Sequence, residues 1–293
     1  MGCPPDVPIY VIGSEGYIGS AVQPLLASRR IIRVGNPRSR YADPAVVTLP
    51  NRVPREAVCV LLAAVAGEHA CEADRPLAYD TNVELVRRIC DLNFQKIILT
   101  STTSLYSSTV GYATEASEVC PASYYTETKL QAEAIIRATS PRNIVARLAI
   151  TVGASPRTDW SQLVNHVVRC AVDGQRVTIY GADAYRPYCD IRDIARGLIW
   201  LLDHPMHDGE IVNVGRTSLN LAKREVVRQV QCAIPSLACT FVDRTDERNY
   251  RVSFEKLERQ YPATFQLKDT IDTLLEQLRG EPVGDAQRVG RVG

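Results

Sequence analysis

Three glycines that follow a short apolar run constrain the fold of this chain more than any other feature. Residues 8–12 are apolar enough for a buried strand, and Gly13, Gly16 and Gly19 come directly after them, where a helical pattern begins. A strand, a turn and a helix with glycines at this spacing form the phosphate site of dinucleotide-binding folds. The glycines permit the tight turn and the close approach of a pyrophosphate, and the helix N–H groups attract an anion. The sequence therefore predicts a dinucleotide site that includes Gly13, Gly16, Tyr17, Ile18 and Gly19.

The N-terminal half alternates apolar runs with helical patterns, which is typical of βαβ units and a parallel sheet. The runs are apolar without alternation, as expected for strands that are covered on both faces. The predicted strands are 8–12, 31–34, 45–49, 57–64, 96–100 and 144–148, and the predicted helices are 17–28, 80–92, 125–139 and 159–172. Together with the glycine triad, they predict a Rossmann-type α/β fold with a doubly wound parallel sheet.

The second half of the chain has a less regular pattern. It contains predicted strands at 176–180 and 211–214 and predicted helices at 190–203, 223–233 and 268–278. We expect residues 1–150 to form the dinucleotide-binding domain and residues 151–280 to form mainly a smaller, C-terminal substrate-binding lid, with part of 185–215 returning to the sheet. Residues 281–293 lack periodicity, and they predict a disordered tail.

The overall charge and the cysteines argue against several classes of function. A net charge of +1 gives no reason to expect nucleic acid as a partner, and the longest apolar run, 57–66, is too short to cross a bilayer. The nine cysteines are scattered without a C-x-x-C pair and show no ligand spacing with the four histidines, so no metal site is predicted. Because no secretory signal is visible, we expect reduced cysteines and a cytoplasmic protein.

The end of the second predicted strand bears on which dinucleotide is bound. Folds that bind NAD usually carry an acid there, which holds the adenosine ribose hydroxyls, but this strand ends in Val34-Gly35-Asn36. The next residues include Arg38 and Arg40, whose guanidinium groups suit a 2′-phosphate. We therefore predict an NADP(H) site that includes Asn36, Arg38 and Arg40, with NAD(H) as the alternative.

A tyrosine and a lysine on one predicted helix indicate the chemistry. Tyr125 and Lys129 are four residues apart, so they share a helix face. There the ammonium group is expected to lower the phenol pKa from about 10 toward neutrality, so that Tyr125 exchanges a proton with a carbonyl or an alcohol during hydride transfer. Hydroxyl side chains at residues 101–104 follow a central strand, and one of them would polarise the substrate oxygen in the same crevice.

These segments resemble the extended short-chain dehydrogenase/reductase family, and in particular its nucleotide-sugar epimerases, dehydratases and reductases. The family's Tyr-x-x-x-Lys-x-x-x-Glu pattern is matched by Tyr125, Lys129 and Glu133. Its catalytic hydroxyl lies four residues before a tyrosine, and Thr102 stands in that relation to Tyr106. The resemblance implies that Thr102, Tyr125 and Lys129 are catalytic. It also implies cofactor contacts from Leu62, Ala63, Ala64, Asn82, Tyr125 and Lys129.

The resemblance extends to two arginines near the substrate. In relatives, an arginine that follows a Tyr-Gly pair contacts the nucleotide diphosphate, and Arg186 matches it. A second phosphate-binding arginine lies a few residues before a tyrosine, and Arg244 stands before Tyr250. The implied partner is a nucleotide-diphosphate sugar, held by Thr102, Thr103, Arg186 and Arg244. The family also implies a homodimer that packs through the helices 80–92 and 125–139.

One departure from the family narrows the expected reaction. Family 4,6-dehydratases follow their catalytic threonine with Asp-Glu, whereas Thr103 and Ser104 occupy those places here, which disfavours dehydration. The sequence therefore predicts an NADPH-dependent reductase of a nucleotide-linked 4-keto sugar, with a 6-deoxy sugar expected by family analogy, that uses the Thr, Tyr and Lys set. The alternatives are an NAD-dependent 4-epimerase with the same residues, and a non-catalytic protein that senses NADP(H).

Overall fold

The computed structural model describes residues 4–35, 48–107, 109–243, 246 and 248–280. The strands are β1 Ile9–Ile12, β2 Ile31–Val34, β3 Val58–Leu61, β4 Lys96–Thr102, β5 Tyr112–Ala113, β6 Ile144–Leu148, β7 Ile150–Val152, β8 Val177–Tyr180, β9 Tyr185–Asp190, β10 Ile211–Val214, β11 Asn220–Ala222, β12 Cys239–Val242 and β13 Arg251–Val252. The α-helices are α1 Tyr17–Val22, α2 Glu68–Ala73, α3 Arg75–Tyr79, α4 Leu85–Cys90, α5 Tyr124–Thr139, α6 Leu163–Val172, α7 Ile191–Asp203, α8 Lys223–Ala233, α9 Glu255–Glu258 and α10 Leu267–Gly280. Short 3₁₀ turns are Gln23–Leu26, Thr103–Tyr106, Pro205–His207 and Thr217–Leu219, and a π turn is Asp80–Glu84.

Six strands form the central sheet in the order β10-β6-β4-β3-β1-β2, and every neighbouring pair is parallel. Strand β2 lies beside β1 at one edge of the sheet, and the chain then crosses to β3, which lies on the opposite side of β1. The strand order therefore reverses between β1 and β3, which confirms the predicted doubly wound α/β fold. In such sheets a ligand crevice is expected outside the carboxyl ends of the strands at the reversal.

Both faces of the sheet are covered, which explains why its strands are apolar without alternation. Ile9 and Val11 lie in a hydrophobic cluster with side chains of α7, whereas Tyr10 and Ile12 lie in a second cluster with side chains of α4 and α5. Successive side chains of a strand point to opposite faces, so both sets must be apolar when helices pack on each side.

A second group of elements builds a core of its own. The sheets β11-β9-β7 and β12-β8 and the helices α6, α8 and α10 surround a separate cluster that includes Val164, Tyr188, Val226 and Leu274. Two elements from this part of the chain belong to the central sheet instead. Helix α7 packs in the cluster that contains Ile9 and Val11, and β10 pairs with β6. The predicted division of the chain at residue 150 into a binding domain and a lid stays a prediction.

Two predicted helices begin or end elsewhere for local reasons. The helix predicted at 17–28 ends at Val22 and continues as a 3₁₀ turn, because Pro24 lacks the N–H group that an α-helix needs at that point. The helix predicted at 159–172 begins at Leu163, since the Asp159 carboxylate accepts hydrogen bonds from the Ser161 N–H and hydroxyl groups and holds a turn instead.

One predicted strand and the predicted tail fall largely on residues that the structure does not describe, and one predicted helix starts differently. Most of the strand predicted at 45–49 and the whole tail 281–293 lie outside the described residues, and Thr48 and Leu49 are not in a strand. The helix predicted at 80–92 starts as a π turn and becomes α-helical at Leu85. Among the described helices, none combines the length and the apolar composition that crossing a bilayer would need.

Candidate active site

The glycine triad lies at the reversal of strand order, between the carboxyl ends of β1 and β3. Gly13 has a φ of +89°, and a Cβ atom there would lie 2.6 Å from the backbone nitrogen of Ala63. A Cβ atom on Gly19 would lie 2.6 Å from the carbonyl oxygen of Ser14. Both positions therefore require glycine, since any side chain would push the turn away from β3 or from α1. Gly16 caps the amino end of α1.

The other predicted residues of the cofactor crevice surround this turn. The N–H groups of Leu62 and Ala63 both donate to the Ile12 carbonyl, at 2.8 and 3.0 Å, which joins the end of β3 to β1. Ala64 follows them and is half-buried, and the Ile18 side chain packs on the main core. These positions follow the carboxyl ends of β1 and β3, where the ligand crevice is expected, and the predicted cofactor contacts stay a prediction.

The Tyr17 side chain points away from the glycine turn and contacts Gly153 and Asn165. Its hydroxyl donates to the Gly153 carbonyl at 2.7 Å and accepts from the Asn165 amide at 3.2 Å. Burial raises the pKa of Tyr17, so the phenol keeps its proton. The ring ties α1 to the segment between β7 and α6, and only the Tyr17 backbone remains at the glycine turn.

The predicted catalytic hydroxyl and tyrosine meet at the end of β4. Thr102 is the last residue of β4 and caps the following turn by accepting from the Ser104 N–H at 3.1 Å. Tyr125 lies beside Thr102, whose hydroxyl is close enough to favour the phenolate form of Tyr125. Helix α5 presents Tyr125 in its first turn, because Ser123 caps the helix by accepting from the Thr126 N–H. The end of β4 and the start of α5, which are separated in the sequence, therefore bring these two hydroxyl groups together.

Lys129 lies one turn further along α5 and is buried. Its ammonium donates to the Thr100 carbonyl of β4 at 2.6 Å. Burial lowers the pKa of Lys129 to about 8, against an opposing contribution from the Glu133 carboxylate. At neutral pH the side chain is therefore mostly a cation.

The expected lowering of the Tyr125 pKa by Lys129 is wrong for the protein alone. Burial raises the pKa of Tyr125 well above its ordinary value, and the neighbouring Thr102 hydroxyl offsets only part of that effect. The physical reason is that a phenolate is costly to bury, while the Lys129 ammonium is directed at the Thr100 carbonyl. Tyr125 is therefore a neutral phenol that can donate a proton.

Asn82, which the resemblance implies as a cofactor contact, has all its hydrogen bonds inside the protein. Its amide nitrogen donates to the Val65 carbonyl and to the Thr128 hydroxyl, each at 3.0 Å. Its amide oxygen accepts from the Val65 N–H at 2.9 Å. The side chain is buried and links the segment after β3 to α5, so it supports the helix that carries Tyr125 and Lys129.

Thr103 is turned away from the crevice. Its hydroxyl donates to the Leu148 carbonyl of β6 at 3.0 Å, and the residue is 1% exposed. The next residue, Ser104, lies 3.4 Å from the Tyr250 hydroxyl, measured between the two oxygens. Ser104 therefore links Thr102 to Tyr250, a residue to which the sequence analysis gave no role of its own in binding the substrate.

A cluster of three cations lies next to Tyr250. Arg186 and Lys223 both pair with the Asp246 carboxylate, at 2.8 and 2.6 Å. Burial raises the pKa of Asp246, but Lys223 and Arg186 outweigh it and lower the pKa to about 2. Arg248 pairs with Glu68 of α2 at 2.9 Å and reaches Asp246 at 3.5 Å. The three cations therefore share two carboxylates, which leaves the cluster one positive charge in excess.

The structure brings Arg248 into this cluster, whereas the sequence prediction named Arg244 as the second substrate arginine, and that prediction is not tested. Arg244 lies outside the described residues, as do Asn36, Arg38 and Arg40. Arg248 also precedes Tyr250, so the rule that selected Arg244 fits it equally well. Lys223 gave no signal in the sequence, because its role depends on the approach of α8 to the chain around Asp246.

Comparisons with known proteins agree with this fold. A family model described as the NAD dependent epimerase/dehydratase family matches residues 9–215, and the chain belongs to this family. Among solved structures, MoeE5 in complex with UDP-glucuronic acid and NAD has a TM-score of 0.81 at 20% identity over 93% of this chain and 99% of that one. UDP-glucose 4-epimerase from Thermus thermophilus, complexed with NAD, has a TM-score of 0.78 at 20% identity, covering 94% and 99%. RMD from Pseudomonas aeruginosa, complexed with NADPH, has a TM-score of 0.74 at 18% identity, covering 92% and 98%.

Proposed function

We propose that the protein uses a nicotinamide cofactor to reduce the keto group at C4 of a nucleotide-linked sugar, with a 6-deoxy sugar as the first candidate. The observation that carries this proposal is that Thr102, the last residue of β4, lies beside Tyr125 in the first turn of α5, with Lys129 one helical turn further along. The glycine turn after β1 lies at the same edge of the sheet. This edge is where the ligand crevice of a doubly wound sheet is expected.

The chemistry divides between the cofactor and the protein. When bound, the cofactor supplies the hydride that reaches the keto carbon. The Thr102 hydroxyl donates a hydrogen bond to the keto oxygen, and Tyr125 gives its proton to the same oxygen as the alkoxide forms. Because burial keeps Tyr125 protonated, the protein alone is prepared for the reductive direction. Lys129, a cation at neutral pH, lies one helical turn from Tyr125 and would hold the nicotinamide ribose of the bound cofactor.

The cation cluster supports a nucleotide diphosphate as the handle of the substrate. Arg186, Lys223 and Arg248 carry three positive charges, and Asp246 and Glu68 offset two of them. Guanidinium forks bind phosphate oxygens in a bidentate manner. Tyr250 connects the cluster to the catalytic end of β4 through Ser104, so a diphosphate held there would leave the sugar beside Thr102 and Tyr125.

A 4-epimerase is the second candidate, because the matching family model is named for epimerases and similar solved structures are epimerases. Such an enzyme would use the same three residues, but it would begin by taking a proton from the sugar hydroxyl. Cofactor that stays bound through purification, with interconversion of two sugars and no net change in nicotinamide absorbance, is the expected result for an epimerase.

The proposal is tested by offering the protein a panel of nucleotide 4-keto sugars with NADH and with NADPH. We expect one cofactor to be oxidised for each sugar that is reduced. Thr102→Val removes the hydroxyl that faces the substrate, so turnover should fall by about 100-fold. Thr103→Val is the matched control: its hydroxyl is directed at Leu148, and turnover should stay within a few-fold. Equal turnover in the two variants, or no oxidation with any keto sugar, would contradict the proposal.

A further inference from the structure

The end of β2 lacks the acid that usually holds an adenosine ribose, but a carboxylate reaches the same place from the glycine turn. β2 pairs with β1, and the Gly13 N–H donates to the Val34 carbonyl at 2.8 Å. Gly35, the next residue, is therefore a direct neighbour of the turn. The position that the fold reserves for the ribose acid has no side chain of its own.

The Glu15 side chain fills the space that a side chain at position 35 would use. A Cβ atom on Gly35 would lie 3.3 Å from Glu15 Cγ and 3.5 Å from Ser14 Oγ. The Ser14 hydroxyl donates to the Glu15 carboxylate at 3.5 Å, and Ser14 is buried. The Glu15 side chain thus places a carboxylate beside the end of β2, and the preceding residue, Ser14, donates a hydrogen bond to it.

We infer that Glu15 replaces the missing strand-end acid, accepts hydrogen bonds from the adenosine ribose hydroxyls, and makes NAD(H) the preferred cofactor. A carboxylate accepts two hydroxyl donors at once, which suits the 2′ and 3′ hydroxyls of a ribose. The inference rests on the proposed function only in taking the glycine turn as a dinucleotide site.

The same carboxylate disfavours NADP(H). A 2′-phosphate would place negative charge beside Glu15, and like charges that close repel in a partly buried site. It would also remove the 2′ hydroxyl that donates to the carboxylate. The sequence prediction favoured NADP(H), because Gly35 stands where the ribose acid is expected and Arg38 and Arg40 follow it. The inference reverses that preference, because Glu15 supplies the negative charge that Gly35 lacks.

The test measures the binding of NADH and NADPH to the purified protein without any sugar, by calorimetric titration. We expect NADH to bind about 10- to 100-fold more tightly, the range that one hydrogen bond to a charged group supports. Glu15→Gln should remove most of this preference. Glu255→Gln, which changes an exposed carboxylate of α9, is the matched control and should keep it.

A second variant separates the position of the charge from other effects of losing Glu15. Combining Gly35→Asp with Glu15→Ala, which vacates the space beside residue 35, returns a carboxylate to the end of β2, so the preference for NADH should reappear. Tighter binding of NADPH by the unchanged protein, or the same ratio of affinities after Glu15→Gln, would overturn the inference alone. Failure of both dinucleotides to bind would overturn the proposed function, and the inference with it.

Discussion

A buried ion pair under the catalytic helix provides a test of how α5 is held in place. The Arg147 guanidinium of β6 donates twice to the Glu133 carboxylate of α5, at 3.0 and 2.6 Å, and both residues are at most 3% exposed. Ser101 donates to the same carboxylate, and Arg147 also donates to the Tyr106 hydroxyl. The Glu133 carboxylate therefore links α5 to β6 through Arg147 and to β4 through Ser101, one helical turn beyond Lys129.

Glu133→Gln keeps the shape of the side chain but leaves the Arg147 cation without its counter-charge. Breaking one partner of a buried pair costs about 3–5 kcal/mol in the free energy of unfolding. In a protein of this size each kcal/mol lowers Tm by roughly 2 °C, so we expect a fall of about 6–10 °C. Scanning calorimetry or denaturant unfolding followed by circular dichroism measures the change.

The control makes the same substitution in an exposed pair. Glu255, the first residue of α9, pairs with Arg259 just after the helix at 2.8 Å, and both side chains are more than half exposed. Glu255→Gln should cost less than about 0.5 kcal/mol. Adding Arg147→Met to Glu133→Gln should recover part of the lost stability, because it removes the unpaired charge. Equal losses for Glu133→Gln and Glu255→Gln would refute the reasoning.

Two further predictions concern charge in the site. Lys129 is a cation below its pKa of about 8 and neutral above it, so turnover should fall as the pH rises through about 8; a rate that stays constant up to pH 10 would contradict the proposed role of the Lys129 charge. Arg248→Ala should raise KM for the nucleotide sugar by about 10-fold, the loss of one charged hydrogen bond, with little change in the affinity for the dinucleotide. Steady-state kinetics and calorimetric titration check these effects, and an unchanged KM would remove Arg248 from the diphosphate site.

Local signals in the sequence were enough to find the helix and the strand that carry the chemistry. The helix predicted at 125–139 differs from α5 by one residue, because Ser123 and Thr126 form a capping box that depends only on neighbouring residues. The strand predicted at 144–148 coincides with β6. Such elements are readable because the apolar pattern and the cap agree.

Elements that depend on distant pairing were missed. The two-residue strands β5 and β13 pair with each other across more than a hundred residues, and nothing near either strand announces the pairing. The short helices α2 and α3 follow Gly67 and flank Asp74, with too few turns for a periodic pattern. They matter for the site, because α2 carries the Glu68 that pairs with Arg248.

The chemistry of single side chains was the hardest part to predict. Thr102 and Thr103 are adjacent and similar, yet one lies beside Tyr125 and the other is directed at Leu148, because Thr102 ends β4 and Thr103 begins the 3₁₀ turn that follows. The raised pKa of Tyr125 comes from burial among elements that are far apart in the chain. Helical spacing showed that Tyr125 and Lys129 share a face, but not how strongly the protein desolvates them.

The central claim is that Tyr125 donates the proton during reduction, and a pair of neighbouring tyrosines tests it most directly. Tyr124→Phe is the control, since the Tyr124 ring packs against Arg75, whose guanidinium carbon lies 4.7 Å from the ring centroid. We expect Tyr125→Phe to lower turnover by about 100-fold or more while the affinity for the dinucleotide changes by less than about threefold. Tyr124→Phe should be close to the unchanged protein in both measurements. Turnover by Tyr125→Phe within a few-fold of the unchanged protein would contradict the proposed role of Tyr125.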